Sequence, residues 1–580
     1  MTNKFTSSSP LEFYFAHLET VCPTIVYQEF ERDIAKSIAN AHWDNPESPL
    51  DLNNFAVIAL IEAENADDDG ERELLIDLAL EALQKGVERD RHPLCAAHMA
   101  AVFYLIGDRV AADEIANSTL ADAFQAAHYH AAGEASESIG LVYLPPLFDR
   151  AASEATIGEL FRSPSAHYQA LIFLAQALVF TQPLMCASAT GRRWLEFSVS
   201  LLSETPHTNL MLGLSHLHEC HAEGLLYLHR AQQADPAAPN VLQALSLAYR
   251  DRGHLKNAEL WKTVACACQF PELTTPPEWR WTEVDVDSSM TYVAYDDCTL
   301  AVESRLSSVS TSTLLAQGDW PEREIEFWRV WLKPDAIAID VGADIGQFAI
   351  SAAKRVGSAG RAIALEADPA CMNCLKETQK VNRLDRLTLY LAIACDRNES
   401  PDWFADAATE AFGDDISNEG FDKWQTQPTS SAPVPPAPRN TVEHLTLDAL
   451  MFREELPRVD FIRIDRAHCT LEMLAGATQL LSIFQPTLLF GLSPDIPDRN
   501  LTFGNALRAI GYKLYHYKPY VKQLVPIDSM RELTENLVVG ANAIAIHPSQ
   551  YDSVISLGYA DAKLADEAAL AELLLAGDPQ

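Results

Sequence analysis

AIAIDVGADIGQFAISAAKRVGSAGRAIALEADP, residues 336–369, reads as a strand, a glycine turn, a helix and a second strand in succession. The apolar run Ala336 to Ile339 gives way to Asp340 and Gly342, where a buried parallel strand emerges and the chain needs a residue without a side-chain clash. Gly346 closes the turn. Phe348, Ile350, Ala353 and Val356 then recur at helical spacing, and Gly357 and Gly360 stand where the helix has to stop. Ala362 to Leu365 forms a second short strand that ends in Glu366.

Glu366 lies 20 positions after Gly346. A nucleotide-ribose site asks for that spacing: a glycine turn that lets backbone approach the ligand, then an acid at the end of the second strand to accept the ribose hydroxyls. The spacing alone does not name the cofactor. A dinucleotide site carries G-x-G-x-x-G, whereas this turn reads Asp340-x-Gly342-x-Asp344-x-Gly346, with two acids. Carboxylates there repel a pyrophosphate and suit a ligand bearing ammonium and sulfonium charges. S-adenosylmethionine is such a ligand and is favoured over NAD.

Five ordered segments carry a resemblance. IDVGADIGQF, the ALEADP acid, LAIACD from Leu391 to Asp396, LTLDAL from Leu445 to Leu450, and FIRID with LEMLAGA from Phe461 to Ala477 resemble the successive motifs of the FkbM-type S-adenosylmethionine-dependent methyltransferases. The resemblance spans roughly Val284 to His547 and implies a Rossmann-like class I methyltransferase domain. It also implies transfer of a methyl group to a hydroxyl of a glycan, a lipid-linked sugar or a secondary metabolite. The residues expected to hold the cofactor are Asp340, Gly342, Asp344 and Gly346 around its methionine part, Glu366 on the ribose, and Ala392 and Ile393 near the adenine edge.

Two departures from that family bear on the chemistry. The family usually has Asn where this chain has Asp344, which adds a negative charge to the turn. It also continues the later strand as I-D-x-E-G-x-E, whereas this chain reads IDRAHCTLE: Ala467, His468 and Thr470 replace Glu, Gly and Glu, and Gly491 stands where an acid is usual. Either a different acceptor is methylated or none is. Attack by an aliphatic hydroxyl needs a route for its proton, worth roughly 10²–10⁴-fold. Asp465 and His468 are the expected catalytic residues, the histidine standing in for the missing acid. Thr446 and Asp448 match the family's T-L-D, with a site role and a helix-cap role both open.

The remainder of the chain is of a different kind. With 580 residues and 48% hydrophobic content, two to four domains with proper cores are expected. Its 81 Asp plus Glu against 43 Lys plus Arg give a net charge of −38, which argues against nucleic acid and anionic membranes as partners. The first twenty residues lack the basic and apolar blocks of a secretory signal, and the longest apolar run, Ala170 to Phe180, is too short to span a bilayer. Eleven scattered cysteines fit reduced thiols, so a cytoplasmic protein is expected.

From Asp51 to about Gln269 apolar residues recur at helical period and strand signals are nearly absent. Gly224 and Ala258, like Ala231 and Ala265, stand 34 positions apart, and the segment from Pro239 resembles a tetratricopeptide (TPR) repeat, with Leu242, Leu245, Tyr249, Gly253, Ala258 and Ala265 at that repeat's key spacing. The expected organisation is an α-helical TPR-like solenoid over residues 1–270, a linker over 271–283, the methyltransferase domain over 284–547 with a proline-rich insertion at 425–439, and an acidic helical tail over 548–580.

No metal site is expected. Cys371 and Cys374 have no second pair at metal spacing, His218 and His221 have no carboxylate-rich context, and Asp67 to Gly70 reads as a solvated loop. Two functions remain open: an S-adenosylmethionine-dependent O-methyltransferase whose helical domain recruits a protein partner or the acceptor, or a repeat scaffold carrying a degenerate, non-catalytic methyltransferase domain.

Overall fold

The computed structural model describes residues 10–21, 32, 34, 35, 38, 46–66, 69–106, 108–129, 140–144, 158, 160, 161, 166–181, 185–203, 205–269, 275–398, 442–518, 523–527, 529–534 and 541–551. The proline-rich segment 425–439 lies outside them, as does the tail beyond Tyr551. The chain divides into two compact units, Met1–Ala248 and Tyr249–Gln580.

The first unit is helical throughout its described elements: α1 (Pro10–Val21), α2 (Pro49–Glu64), α3 (Asp69–Asp90), α4 (Pro93–Ile106), α5 (Arg109–Tyr129), α6 (Ala166–Thr181), α7 (Ala189–Leu201), α8 (Pro206–His218) and α9 (Gly224–Ala234), followed by α10 (Pro239–Asp251), which runs across the boundary. Local signals start these helices. At α2 the Ser48 hydroxyl accepts from the Asp51 N–H at 3.0 Å, the Asp51 carboxylate accepts from the Ser48 N–H at 3.4 Å, and Pro49 needs no donor partner in the first turn. The apolar run from Ala170 is the middle of α6, a buried helix. At α8 and α9, Gly213 and Gly224 face each other so closely that a Cβ at Gly224 would stand 2.5 Å from the Gly213 carbonyl oxygen. The unit is thus a many-helix region. No helix among the described residues is long and apolar enough to cross a membrane.

The second unit takes in α11 (Leu255–Cys268), and side chains explain why the boundary falls before it. Arg250 donates to the carbonyls of Val286 and Ser288 at 2.9 and 2.8 Å, Lys262 to that of Val284 at 2.9 Å, and the Asp251 carboxylate accepts from the Leu306 N–H at 2.9 Å. These bonds tie residues 250–262 to the chain after the expected linker. A hairpin follows, β1 (Met290–Tyr295) and β2 (Cys298–Glu303), with Asp296 and Asp297 both at positive φ in its turn.

Helices α12 (Val309–Gln317) and α13 (Glu324–Trp331) precede a nine-stranded mixed sheet in the order β10-β9-β11-β8-β7-β3-β4-β5-β6. Its strands are β3 (Ile337–Val341), β4 (Arg361–Glu366), β5 (Leu387–Ala394), β6 (Glu443–Leu445), β7 (Phe461–Ile464), β8 (Thr487–Gly491), β9 (Lys513–Lys518), β10 (Gln523–Pro526) and β11 (Asn542–Ile546). From β6 to β8 all pairings are parallel, while β11 is antiparallel to both neighbours. The chain leaves β3 for β4 on one side and returns beside β3 as β7, so the order reverses at β3, the switch point at whose carboxyl ends sheets of this kind take a ligand. β6 and β10, at the two edges of the sheet, are both short. Helices α14 (Gln347–Arg355), α15 (Pro369–Asn382), α16 (Leu447–Arg453), α17 (Leu471–Ala475), α18 (Thr478–Phe484) and α19 (Pro497–Ala509) complete the unit. One cluster of buried apolar side chains runs from Ile337 and Ile363 through Leu488 and Phe490 to Ala543 and Ala545.

Candidate active site

The glycine turn follows β3 and is held by main-chain bonds. The N–H groups of Gly342 and Ala343 both donate to the Leu365 carbonyl, at 2.9 and 3.0 Å, which fastens the turn to β4. Gly342 and Gly346 have φ of 75° and 100°, a region that L side chains avoid. A Cβ at Gly342 would also meet the His468 ring at 2.5 Å and Asp465 Cβ at 2.8 Å. This glycine is what lets the loop after β7 lie against the turn. Asp344 takes φ 51°, which Asp tolerates better than most residues.

The two turn acids sit in different surroundings. Asp344 is held by Ser310 Oγ at 2.7 Å, Gln347 Nε2 at 3.0 Å and Cys371 Sγ at 3.3 Å. Asp340 is fully buried; Arg463 Nη1 lies 3.3 Å from its Oδ1, and its Oδ2 has no hydrogen-bond partner. Burial pushes the Asp340 carboxyl up to about 6, although Arg463 pulls the other way.

Glu366 ends β4 beside this turn. Its Oε2 accepts from the Asp344 N–H at 2.6 Å and its Oε1 from the Asp368 N–H at 2.7 Å. The 20-residue spacing read from the sequence therefore brings turn and acid into contact. Burial pushes this carboxyl up to about 8, reinforced by the charge of Asp344 and opposed by the two N–H donors. Ala392, buried, and Ile393, half-buried, lie near the end of β5, where β6 pairs with them through Glu443 and His444.

Arg463, in β7, ties the glycine turn to the loop after β7, and sequence reasoning did not single it out. Its guanidinium donates to the Gly342 carbonyl at 2.7 Å, reaches Asp340 at 3.3 Å and Asp465 at 3.0 Å, and lies 4.7 Å over the Phe348 ring. A signal was present: a charged residue in a four-residue strand buried at every position has to be paired. Burial works against the charge on Asp465, but Arg463 and His468 outweigh it and hold the carboxyl below its usual range. His468 is pushed down by burial, with Asp465 pulling it up and Arg463 and Arg499 adding to the fall. Glu322 and Glu324, buried, share the Asn542 side-chain amide at 3.2 and 3.1 Å; burial raises both, Glu324 to about 7.

Other residues turn out to be structural. Thr446 caps α16, its hydroxyl accepting from the Ala449 N–H at 3.0 Å, and the Asp448 carboxylate accepts from Leu480 and Gln479 N–H at 2.8 and 3.0 Å, capping α18. The site role considered for them gives way to capping, because their side chains are committed to two helix N-termini. Thr470 likewise caps α17, and Gly491 is a close approach: a Cβ there would stand 2.7 Å from the Arg466 backbone nitrogen. Among the described residues no group of three or more His, Cys, Asp or Glu is placed to hold a metal.

The fold defines a methyltransferase-like domain with a mixed sheet, its glycine turn, strand-end acid and the loop after β7 converging at one point. Residues 340–517 match the family model of the methyltransferase FkbM domain. A solved precorrin-6y C5,15-methyltransferase from Geobacter metallireducens GS-15 aligns at 15% identity over 39% of this chain and 87% of its own, with a TM-score of 0.21. No curated protein matches the sequence. The family match begins at Asp340 and takes in every residue expected to act in the site.

Proposed function

We propose that the second unit is an S-adenosylmethionine-dependent O-methyltransferase acting on a hydroxyl of a glycan, a lipid-linked sugar or a secondary metabolite, and that the helical unit recruits a protein partner or the acceptor. One observation carries the cofactor assignment: Glu366 bonds the Asp344 N–H at 2.6 Å, at the point where the sheet order reverses. The donor set fits that cofactor. Arg463 contacts Asp340 and Asp465, Asp344 and Glu366 meet only uncharged donors among their hydrogen-bond partners, and the buried Asp340 Oδ2 has an unused lone pair. Such a set favours a cationic ligand over a pyrophosphate.

When bound, the cofactor supplies an electrophilic methyl group. The chain's own residues do the rest. Asp340, Gly342, Asp344 and Gly346 receive the methionine part, Glu366 the ribose hydroxyls, and Ala392 and Ile393 the adenine edge. Most of the acceleration in such a displacement comes from orientation, with effective molarities of ~10⁵ M or more available. His468, whose basicity burial lowers, takes the proton of the attacking hydroxyl at a ring nitrogen, and the negative charge of Asp465 favours the imidazolium that forms.

A second reading has support of its own: binding of the cofactor without turnover. Thr470 is occupied as a helix cap and the Arg466 backbone closes over Gly491, so the two family acid positions offer nothing to an acceptor. Calorimetry with S-adenosylmethionine and S-adenosylhomocysteine tests the shared part. Glu366→Ala removes charge-assisted hydrogen bonds worth about 1.5–3 kcal/mol, so affinity should fall roughly 10- to 150-fold. Unchanged affinity would sink the site assignment. Labelled cofactor incubated with cell extract then separates the readings, since only the enzyme labels a glycan or small molecule.

A further inference from the structure

The first unit holds a feature that the methyl-transfer reading does not use. Residues 140–144, Gly-Leu-Val-Tyr-Leu, belong to no helix or strand, yet all five are buried, with Leu141, Val142 and Tyr143 fully enclosed. Buried main chain outside regular structure must find its hydrogen bonds elsewhere. Here side chains supply them.

The Gln169 amide takes both groups of Gly140, accepting from its N–H at 3.1 Å and donating to its carbonyl at 2.9 Å. Asn54 Oδ1 accepts from the Leu141 N–H at 2.8 Å and Asn53 Nδ2 donates to the Leu141 carbonyl at 2.9 Å. The Tyr14 hydroxyl accepts from the Val142 N–H at 3.1 Å and donates to its carbonyl at 2.8 Å. His98 Nε2 accepts from the Tyr143 N–H at 3.0 Å, while its Nδ1 faces Asn53 Oδ1 at 2.9 Å, which sets the tautomer. Seven consecutive main-chain groups are thus read by five side chains, standing on α1, α2, α4 and α6.

We propose that the helical unit is a peptide clamp that reads main chain, that segment 140–144 occupies it in cis, and that an extended apolar peptide of a partner binds by displacing this segment. Every bond above goes to a group that any non-proline peptide carries, so the clamp's chemistry is indifferent to which chain supplies it. The buried Leu, Val, Tyr and Leu side chains set the preference for an apolar occupant. The segment lies 29 to 128 positions from the residues that bond it, and an incoming peptide must meet the same five buried side chains when it displaces the resident. The proposal rests on the recruiting role suggested for this unit only in naming the ligand. It is independent of the methyl-transfer chemistry.

The test uses the full chain and a labelled acetyl-Gly-Leu-Val-Tyr-Leu-amide, followed by fluorescence anisotropy. A segment tethered in the same chain competes at an effective concentration on the order of millimolar, so wild type should bind the peptide weakly. Leu141→Pro removes the N–H that Asn54 accepts and weakens the resident, so this variant should bind at least about tenfold tighter. An N-methyl group on the peptide's valine nitrogen should abolish that binding, because Tyr14 then has no donor to accept from. A folded variant that binds no peptide, or binds both peptides alike, overturns the proposal. If Leu141→Pro does not fold, hydrogen exchange on wild type decides: amides of 141–143 should exchange far faster than the most protected amides of α2 and α4. Exchange only with the whole unit would make the segment a fixed part of the core. Either failure removes the clamp and leaves recruitment to other surfaces.

Discussion

On the proposed assignment Glu366 would meet its ligand in the protonated form over much of the physiological range, because burial pushes its carboxyl up to about 8. Ribose hydroxyls donate, and the ionised carboxylate accepts from them more strongly than a carboxyl with one oxygen protonated. Binding therefore expels a proton wherever the pH is below about 8, and the affinity for S-adenosylhomocysteine should rise roughly tenfold per pH unit from 6 to 8 and level off above it. The sign follows from the raised value: a low pH holds the proton on the free protein and opposes the ligand. Calorimetry across pH 6 to 9 in buffers of different ionisation enthalpy checks both the slope and the proton release. A flat profile would mean that this carboxyl is already charged. The acid was legible in the sequence from its spacing behind the turn. Its proton affinity was not, because that depends on Asp344 and on main chain folded around it.

Helix α9 meets α8 at a pair of glycines, and the contact is backbone to backbone. Gly224→Ala would place a methyl group 2.5 Å from the Gly213 carbonyl oxygen and 2.5 Å from Leu217 Cγ. Neither the carbonyl nor the helix carrying it yields easily, so overpacking should cost about 1–3 kcal/mol, read as a lower denaturant midpoint of the helical unit with its slope unchanged. Ala222→Gly, in the loop just before α9, is the control that leaves this contact intact. The sequence marked Gly224 as a small residue in a 34-residue offset, and the close approach is its physical reason. The same scale explains Thr446 and Asp448. A T-L-D motif reads equally as a site or as a cap, and only the arrival of α18, some thirty residues later, commits the aspartate to its N-terminus.

At the scale of the whole molecule, each unit carries its own buried cluster, and the boundary at Ala248/Tyr249 leaves Arg250, Asp251 and Lys262 bonded within the second unit. A fragment of residues 249–580 should fold alone and bind S-adenosylhomocysteine with the affinity of the full chain. A fragment starting at residue 271, after the helix that sequence reading assigned to the repeat domain, should be less stable, because it loses those bonds. Differential scanning calorimetry of the two fragments distinguishes them. Equal stability would place α11 with the helical unit instead.

The sequence by itself determined what is local or periodic: the strand-turn-helix-strand of residues 336–366 and the helical character of the first unit. Hydrophobic period, glycine placement and fixed spacing act over a few residues and leave their mark in the letters. Tertiary structure alone decided which charges meet. Arg463 finds Asp340 across 123 positions, Ser310 finds Asp344 across 34, and Asn53 finds Leu141 across 88. Those pairings arise only when sheet order and helix packing bring distant segments together, and burial then makes each unmet hydrogen bond costly.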